Sequence, residues 1–371
     1  EATRNGLSLT NGTRYYASVR AVNNAGLASL VSSFNFVLDT TLPSVPTVTN
    51  TYSYLTSTSN VSIRWLAAVD AESVVSGYEV SIGTREGATD NVNWTSVSGL
   101  ATTVNTTLTQ GSTYYANVRA VNSGGGKSGV SSFGFKVDVT VPSIPTVSNT
   151  YSYLTSATTV PISWTVASDE QSDVSGYEVS VGGGEWRSVS GASATVNTTL
   201  VNGNTYSASV RSVNGAGLKS SASSFSFKVD TTAPSVPTVS NTFSYRTVTD
   251  TVPVSWAIAT DNQSVVSGYE VSIGTRGGAT DVLYWQSVSG LSTTLNTSLT
   301  NGSRYYVNVR SINTAGLKSG VSSFNFMVDT TAPSVPVIST SYAYRTSNVV
   351  PFSWVAATDS QSDVSGYEVS V

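Results

Sequence analysis

The sequence predicts an all-β chain, built as a tandem array of seven-stranded antiparallel β-sandwiches that form an extended rod. Three observations lead to this prediction. Two short motifs recur along the whole chain, apolar and polar residues alternate over short runs, and no run has the periodicity of an amphipathic helix. About seven short strands per repeat, separated by turn residues, is typical of a sandwich.

The repeat is defined by two markers. The string Ser-Gly-Tyr-Glu-Val begins at Ser76, Ser175, Ser267 and Ser365, and a Pro-containing linker begins at Asp39, Asp138, Asp230 and Asp329. The markers predict complete domains over residues 40–138, 139–230 and 231–329, with strands E to G of a repeat over 1–39 and strands A to C of another over 330–371. The second domain has a shortened loop between strands C and C′. We expect the chain to be a window from a longer array.

Within each repeat the alternation assigns the core. In the first complete repeat Val61, Ile63 and Trp65 alternate with polar residues, and so do the apolar residues of the runs that begin at Tyr78 and Tyr114. One apolar and one polar face per strand is typical of antiparallel sheets that cover a shared core. We therefore predict that these residues point inward.

Composition excludes several functions. Among 371 residues there is no Cys and no His, which removes Ser-His and Cys-His catalysis and the commonest zinc ligands. A net charge of −4 provides no field that would attract nucleic acid. No apolar run approaches the roughly 20 residues that cross a bilayer. We predict no nucleic-acid partner, no membrane insertion of this segment and no enzymatic activity.

The motifs resemble those of a known family. The run Leu108-Thr-Gln-Gly-Ser-Thr-Tyr114 is similar to the tyrosine corner of fibronectin type III domains, which are immunoglobulin-like sandwiches. The corner tyrosines are Tyr15, Tyr114, Tyr206 and Tyr305, and the residues that match the family's strand B tryptophan are Trp65, Trp164, Trp256 and Trp354. The resemblance implies that strands A, B and E face strands C, C′, F and G, and that these aromatic residues are structural.

Aspartates near the predicted junctions suggest a metal. One lies in each linker and one in the loop after each Trp strand: Asp39, Asp70, Asp138, Asp169, Asp230, Asp261, Asp329 and Asp359. Calcium prefers several such oxygens, and junctional calcium would stiffen the array. Asp is also a common turn and capping residue, so turn formation is the alternative. No other cofactor is expected. A glycosidase pair of carboxylates is disfavoured, because the acids recur in every repeat.

A second tryptophan of each complete repeat, at Trp94, Trp186 and Trp285, lies on a predicted edge strand, C′. Its ring could stack on sugars such as cell-surface glycans, or it could simply cover the sheet edge.

The fold alone does not fix the function. The linkers resemble those of large bacterial extracellular proteins, adhesins in particular, so the expected function is a structural or adhesive stalk or fibre at the bacterial cell surface. Its partners would be neighbouring repeats and, through lateral self-association into filaments, other copies. The alternatives are spacer modules of a secreted polysaccharide-degrading enzyme and a phage tail fibre.

Overall fold

The computed structural model describes residues 2–50 and 52–371, and all their regular elements are β-strands. The first described segment, residues 2–39, contains one antiparallel hairpin. Its strands are β1 (Arg14–Val19) and β2 (Ser32–Val37). Within the described residues no helix is long and apolar enough to cross a membrane.

The first complete repeat forms two facing sheets. Its strands are β3 (Thr47–Val48), β4 (Tyr54–Leu55), β5 (Asn60–Leu66), β6 (Val75–Gly83), β7 (Val92–Val97), β8 (Ala101–Asn105), β9 (Thr113–Asn122) and β10 (Ser131–Val137). The smaller sheet has the order β3-β5-β8, and the larger has the order β4-β10-β9-β6-β7. These sheets are the predicted A-B-E and C′-C-F-G layers, so the sandwich prediction is confirmed.

The second and third complete repeats follow the same order. The strands of the second are β11 (Tyr153–Leu154), β12 (Thr159–Ser163), β13 (Val174–Val181), β14 (Arg187–Val189), β15 (Ser193–Asn197), β16 (Thr205–Asn214) and β17 (Ser223–Val229). Those of the third are β18 (Tyr245–Arg246), β19 (Thr251–Ser255), β20 (Val266–Gly274), β21 (Leu283–Val288), β22 (Ser292–Asn296), β23 (Arg304–Asn313) and β24 (Ser322–Val328). In both, strand A is reduced to a single bridge, Val147 to Trp164 or Val239 to Trp256.

Each complete repeat encloses a core of its own. Val61 and Ile63 of β5 are fully buried, and they pack against Val118 of β9 and Phe135 of β10. The alternation along the strands thus predicted the inward face correctly. Equivalent clusters fill the other two repeats. Because no cluster is shared, each sandwich has the core it needs to fold as a unit.

The short strand β4 was not predicted. It leaves the smaller sheet and pairs in parallel with β10 of the larger one, Tyr54 with Lys136 and Leu55 with Val137. Its counterparts β11 and β18 do the same. This strand covers the free edge of β10, which limits edge-to-edge pairing with other chains.

The prolines Pro161 and Pro253 lie inside strand B rather than at its first residue. Pro161 pairs with Thr195 on one side, where the ladder to β15 continues. On the other side strand pairing has lapsed, and the Pro161 carbonyl instead accepts a hydrogen bond from the Tyr151 hydroxyl at 3.1 Å. A missing N–H costs little in a strand position without a backbone partner.

The last segment, residues 330–371, contains only β25 (Val337–Ile338) and β26 (Trp354–Val355). Strand E, predicted in residues 1–39, and strand C, predicted at Ser365–Val371, do not form among the described residues. The reason is that strand E pairs with B, and strand C with F and C′, which these segments lack. Without a hydrogen-bonded neighbour an extended run has no ladder.

Candidate functional site

The tyrosine corners have the geometry that the family resemblance implies. In each, the tyrosine hydroxyl accepts a hydrogen bond from a backbone N–H five residues upstream. The bonds are Thr10 to Tyr15 at 2.7 Å, Thr109 to Tyr114 at 3.2 Å, Val201 to Tyr206 at 3.0 Å and Thr300 to Tyr305 at 3.0 Å. The hydroxyl satisfies a loop donor that has no ladder partner, so this is a structural contact.

The strand B tryptophans lie in the cores. Trp65, Trp164 and Trp256 are buried and tilt against the strand C tyrosines, with Trp65 and Tyr78 ring centroids 5.4 Å apart. Within the described residues their indole N–H groups have no acceptor. Trp354 in the last segment keeps the equivalent contact with Tyr367 at 5.1 Å and stays partly exposed. These residues contribute to packing and offer no surface to a ligand.

The predicted aspartates meet at the junctions in pairs. Each linker Asp approaches the loop Asp of the repeat that follows it: Asp39 with Asp70, Asp138 with Asp169, Asp230 with Asp261, and Asp329 with Asp359. In the first three pairs both carboxylates share one amide donor, and in the last pair both accept from Ser362. The linker carboxylates of Asp138 and Asp230 are fully buried.

An asparagine that sequence reasoning missed lies between the carboxylates. Asn214 Nδ2 donates to Asp138 at 2.9 Å, to Asp169 at 3.1 Å and to the carbonyl of Thr140 at 3.0 Å. Its Oδ1 accepts from the Leu218 N–H at 2.8 Å, which fixes the orientation of the amide. Asn122 and Asn313 make the same contacts. We call these three residues the junction asparagines.

A signal for the junction asparagines was present. Each is the last residue of strand F, in the recurring Val-Arg-x-Val/Ile-Asn run, as in Val118 to Asn122. An Asn at a strand end also suits a turn. Only the fold brings the linker and the loop aspartates to the same amide.

The linker also contacts the repeat before it. Gln110, next to the first tyrosine corner, accepts from the Val139 N–H at 2.8 Å and donates to Asp138 at 3.2 Å. The Thr140 hydroxyl then donates to the Gln171 side chain of the next repeat at 2.9 Å, and Lys136 donates to the Gln171 carbonyl at 2.5 Å. Asn11, Asn202 and Asn301 hold the following linkers' backbones in the same way as Gln110. The linker is therefore tied to both of its neighbours.

A glycine supplies the turn conformation at this contact. Gly111 has a φ of +78° and follows Gln110 in the turn. A Cβ at this position would lie 3.7 Å from the Gln171 Cγ of the next repeat. A glycine adopts the left-handed conformation without steric cost. Gly12, Gly203 and Gly302 repeat both features against Glu72, Gln263 and Gln361.

Hydrogen bonds lower the pKa of two of the junction carboxyl groups, those of Asp138 and Asp261. Burial raises the pKa of Asp138, but hydrogen bonds from Ser172, Thr140 and Gln110 outweigh burial and hold the pKa below its ordinary value. The pKa of Asp261 is lowered in the same way by hydrogen bonds from Ser264 and Asn313. Carboxylates whose lone pairs are occupied by fixed donors suit the anchoring of a linker better than proton transfer to a substrate.

The predicted calcium site has only one geometric candidate. Within residues 2–50 and 52–371, Asp39, Asp70 and Glu72 form one group with carboxylate oxygens within 4.8 Å of one another. The Asn122 amide already donates to two of these side chains. Calcium binding stays a prediction, and hydrogen bonds alone account for the pairing of the carboxylates.

The second tryptophans lie on the outer face of the larger sheet, on strand C′ or, in the shortened repeat, just before it. Trp94, Trp186 and Trp285 are half-buried, and each has an arginine guanidinium over its ring, at 4.1 Å for Arg119 over Trp94. The tryptophan ring therefore packs on an arginine of strand F while part of it stays exposed, and sugar stacking and covering of the sheet edge both stay predictions.

Comparison with known proteins identifies the repeat. The family profile "Fibronectin type III domain" matches residues 45–133, which cover the first complete repeat. The repeat is a fibronectin type III domain. The second and third complete repeats have the same strand order and the same tyrosine corner, so the chain contains three sandwiches of this fold in tandem.

Three bacterial relatives are similar in sequence. Exoglucanase A of Cellulomonas fimi is 38% identical over 243 residues, which is 62% of this chain and 27% of the relative. Exoglucanase B of the same organism is 32% identical, with 62% and 21% covered. Chitinase A1 of Niallia circulans is 30% identical, with 58% and 30% covered. The chain therefore spans less than a third of each relative's length.

Two solved structures are also similar. The FN1–FN3 domains of chicken CNTN1 cover 77% of this chain and 98% of that chain, at 19% identity and a TM-score of 0.33. The fibronectin(III)-like modules of Clostridium thermocellum CbhA cover 50% and 94%, at 14% identity and a TM-score of 0.39.

Proposed function

We propose that this chain is the non-catalytic spacer of a bacterial extracellular enzyme that degrades polysaccharides. The observation that carries the proposal is the match to two exoglucanases and a chitinase over less than a third of their lengths. In such a protein the hydrolytic machinery would lie outside the tandem domains. The prediction of an enzyme spacer, first made as an alternative, thus has more support than the adhesive stalk, since no adhesin stands among the relatives named above.

The junctions give the spacer its physical basis. Each linker is anchored to the preceding segment through a residue such as Gln110, and the first three linkers are anchored to the following domain through a junction asparagine. Two prolines, as in Pro142-Ser-Ile-Pro145, further restrict the backbone of the linker. A linker restrained at both ends holds successive domains at a defined separation, whereas a Gly/Ser-rich linker behaves as a random coil. A restrained array would keep a catalytic domain at a set distance from another module.

An antibody against this chain tests the proposal in the source organism. We expect it to recognise a longer polypeptide in the culture medium and to precipitate glucan- or chitin-hydrolysing activity from that medium. Antibody against an unrelated secreted protein of the same culture is the control. Labelling along cell-attached filaments, without hydrolytic activity, would overturn the proposal in favour of the surface stalk. Labelling of virus particles would overturn it in favour of the tail fibre.

A further inference from the structure

The outer face of the larger sheet carries a layered stack of three side chains. In the first complete repeat the Arg119 guanidinium lies against one face of the Trp94 ring, 4.1 Å from the ring centroid, and Arg119 is bound to Glu79 at 2.7 Å. Lys127 holds the other oxygen of Glu79 at 3.0 Å. The Trp ring, the Arg fork and the carboxylate come from strands β7, β9 and β6, so the stack crosses the sheet. We call it the tryptophan stack.

In the tryptophan stack one carboxylate binds two cations, so the group carries a net charge of +1. Glu79 is largely buried, and burial raises its pKa, but the bonds from Lys127 and Arg119 outweigh burial and lower it. Glu79 is therefore ionised at neutral pH and holds the guanidinium against the ring. A planar guanidinium fixed by a carboxylate loses little further entropy when it supports an aromatic ring. The ring is thus pre-organised, which reduces the cost of binding a ligand.

The stack recurs in the other two complete repeats. The equivalent groups are Trp186, Arg211, Glu178 and Lys219 in the second, and Trp285, Arg310, Glu270 and Lys318 in the third. The second repeat keeps the stack although its C–C′ loop is shortened.

A shallow open groove lies on the same sheet face beside each stack. In the first repeat its volume is about 390 Å³, and Gly77, Glu79, Ser96 and Ser98 are among the residues that line it. Gly77 keeps the floor flat, because a Cβ there would lie 3.3 Å from the Val97 carbonyl oxygen. The corresponding grooves have volumes of about 510 Å³ in the second repeat and 410 Å³ in the third. Serine hydroxyls line all three.

We propose that each tryptophan stack and its groove form a contact site for a neutral polysaccharide chain. The flat apolar face of a pyranose ring would pack on the exposed part of the Trp94 ring, while Ser96 and Ser98 offer hydroxyls to the sugar edge. Partly exposed aromatic rings with polar neighbours suit such an amphipathic ligand. Arg119 and Lys127 both bind Glu79, so each cation already has a partner, and the anionic polymer used below tests whether the remaining net charge of +1 selects the ligand.

Three copies on one chain make weak sites effective. A single shallow platform binds weakly, but a polymer that contacts one platform raises the effective concentration of its other segments at the next. The inference goes beyond the spacer function, since a spacer needs only length and stiffness. Binding at these sites would attach the tandem domains directly to the polysaccharide.

Binding of the whole chain to insoluble polymers tests the inference. The probes are amorphous cellulose and chitin, two neutral β-linked polymers, and cross-linked polygalacturonate, an anionic polymer. We expect retention on at least one neutral polymer, and cellohexaose or chitohexaose should then change the tryptophan fluorescence saturably. Retention on neither neutral polymer, or on polygalacturonate alone, would overturn the inference.

Variants distinguish binding at the tryptophan stack from nonspecific adsorption to the polymer. The triple variant W94A/W186A/W285A should weaken retention by well over fivefold, since each aromatic contact contributes about 1 kcal/mol, or about fivefold, and the variant removes three. Tyr284→Ala is the matched control, because Tyr284 is a neighbouring aromatic residue, 70% exposed, that has no arginine partner. The control should bind like the unaltered chain. Equal losses in both variants would contradict the inference.

A second set keeps the inference testable if the alanine variant unfolds. The triple variant W94F/W186F/W285F retains a ring over each arginine and should keep the far-ultraviolet circular dichroism of the unaltered chain. We expect it to bind about threefold more weakly, because the smaller ring covers less of the sugar. Binding by the folded phenylalanine variant at full strength, with cellohexaose and chitohexaose leaving the fluorescence of the unaltered chain unchanged, would overturn the inference.

Discussion

The complete repeats and the flanking segments contain the same motifs, but they bury them very differently. In residues 2–39 the tyrosine corner of Tyr15 and the β1–β2 hairpin form as they do elsewhere. Phe34 of that hairpin is nevertheless 66% exposed, whereas its counterpart Phe133 in the first complete repeat is 8% exposed. The difference teaches that local hydrogen bonding forms the corner and the hairpin, while burial depends on strands from the other sheet.

The junction asparagines show the same contrast. Asn23 of the first segment accepts from the Leu27 N–H at 3.0 Å, as Asn214 accepts from Leu218 at 2.8 Å. Only Asn214 also has a linker aspartate and a loop aspartate as acceptors. The loop contact is local, whereas the junction contact needs a preceding linker.

Truncation of a buried core side chain should give the largest difference in stability between a complete repeat and a flanking segment. Phe135→Ala removes a ring that is 1% exposed and packs on Tyr52 and Tyr114, so it should destabilise its repeat by about 3–5 kcal/mol. Phe36→Ala, at the equivalent half-buried position of the hairpin, should cost about 1 kcal/mol or less. Urea unfolding, monitored by tryptophan fluorescence, should show an additional transition at a lower urea concentration for Phe135→Ala and no such transition for Phe36→Ala. A shift of all repeats together would show that the cores are not independent.

Loss of a junction asparagine should have the next largest effect. Asn214→Ala leaves Asp138 without one of its buried donors and should cost about 2–3 kcal/mol. Asn23→Ala loses only loop contacts and should cost about 1 kcal/mol. Thermal unfolding by circular dichroism measures both. Equal effects of the two variants would mean that the linker contact contributes nothing to stability.

Lowering the pH should decrease the free energy of unfolding of the complete repeats in particular. Glu79, Glu178 and Glu270 have lowered pKa values because of their Arg and Lys partners, and Asp138 and Asp261 have lowered pKa values because of hydrogen bonds. A carboxyl group with a lowered folded-state pKa contributes stability above its unfolded-state pKa, at about 4, and this stability is lost as the pH falls through the folded-state pKa.

The urea concentration at the unfolding midpoint should therefore stay constant between about pH 7 and pH 5, and it should decrease when the pH is lowered below about 4. The control is Glu79→Gln, which should lower the midpoint of its repeat at pH 7 and make that midpoint less dependent on pH. A midpoint that rises on acidification would contradict the assigned direction of the pKa shifts.

Calcium should have the smallest effect. The carboxylates of the second and third complete repeats are already occupied by amide and hydroxyl donors, so the melting temperature of those repeats should not change between a chelator and millimolar calcium. A calcium-dependent rise that Glu72→Gln abolishes would instead locate a site at the group formed by Asp39, Asp70 and Glu72. Magnesium at the same concentration controls for ionic strength.

The sequence by itself determined the inward-facing residues, the tyrosine corners and the strands of the complete repeats other than β4 and its counterparts. Alternation with a period of two follows directly from strand geometry, so Val61, Ile63 and Trp65 could be placed in the core without a structure. The corner contact spans five residues, from Thr109 to Tyr114, and such a short span is readable as a motif. Both features depend on neighbours along the chain.

Only the tertiary structure decided the junction and the outer face. Asn214 is 76 residues from Asp138, and Arg119 is 40 residues from Glu79, so no local pattern marks either contact. The edge pairing of β4 with β10 likewise depends on where the chain crosses between sheets. The physical reason is that the hydrogen-bond partners of a buried polar side chain are the donors and acceptors that the fold brings next to it. These groups come from strands that are distant in sequence.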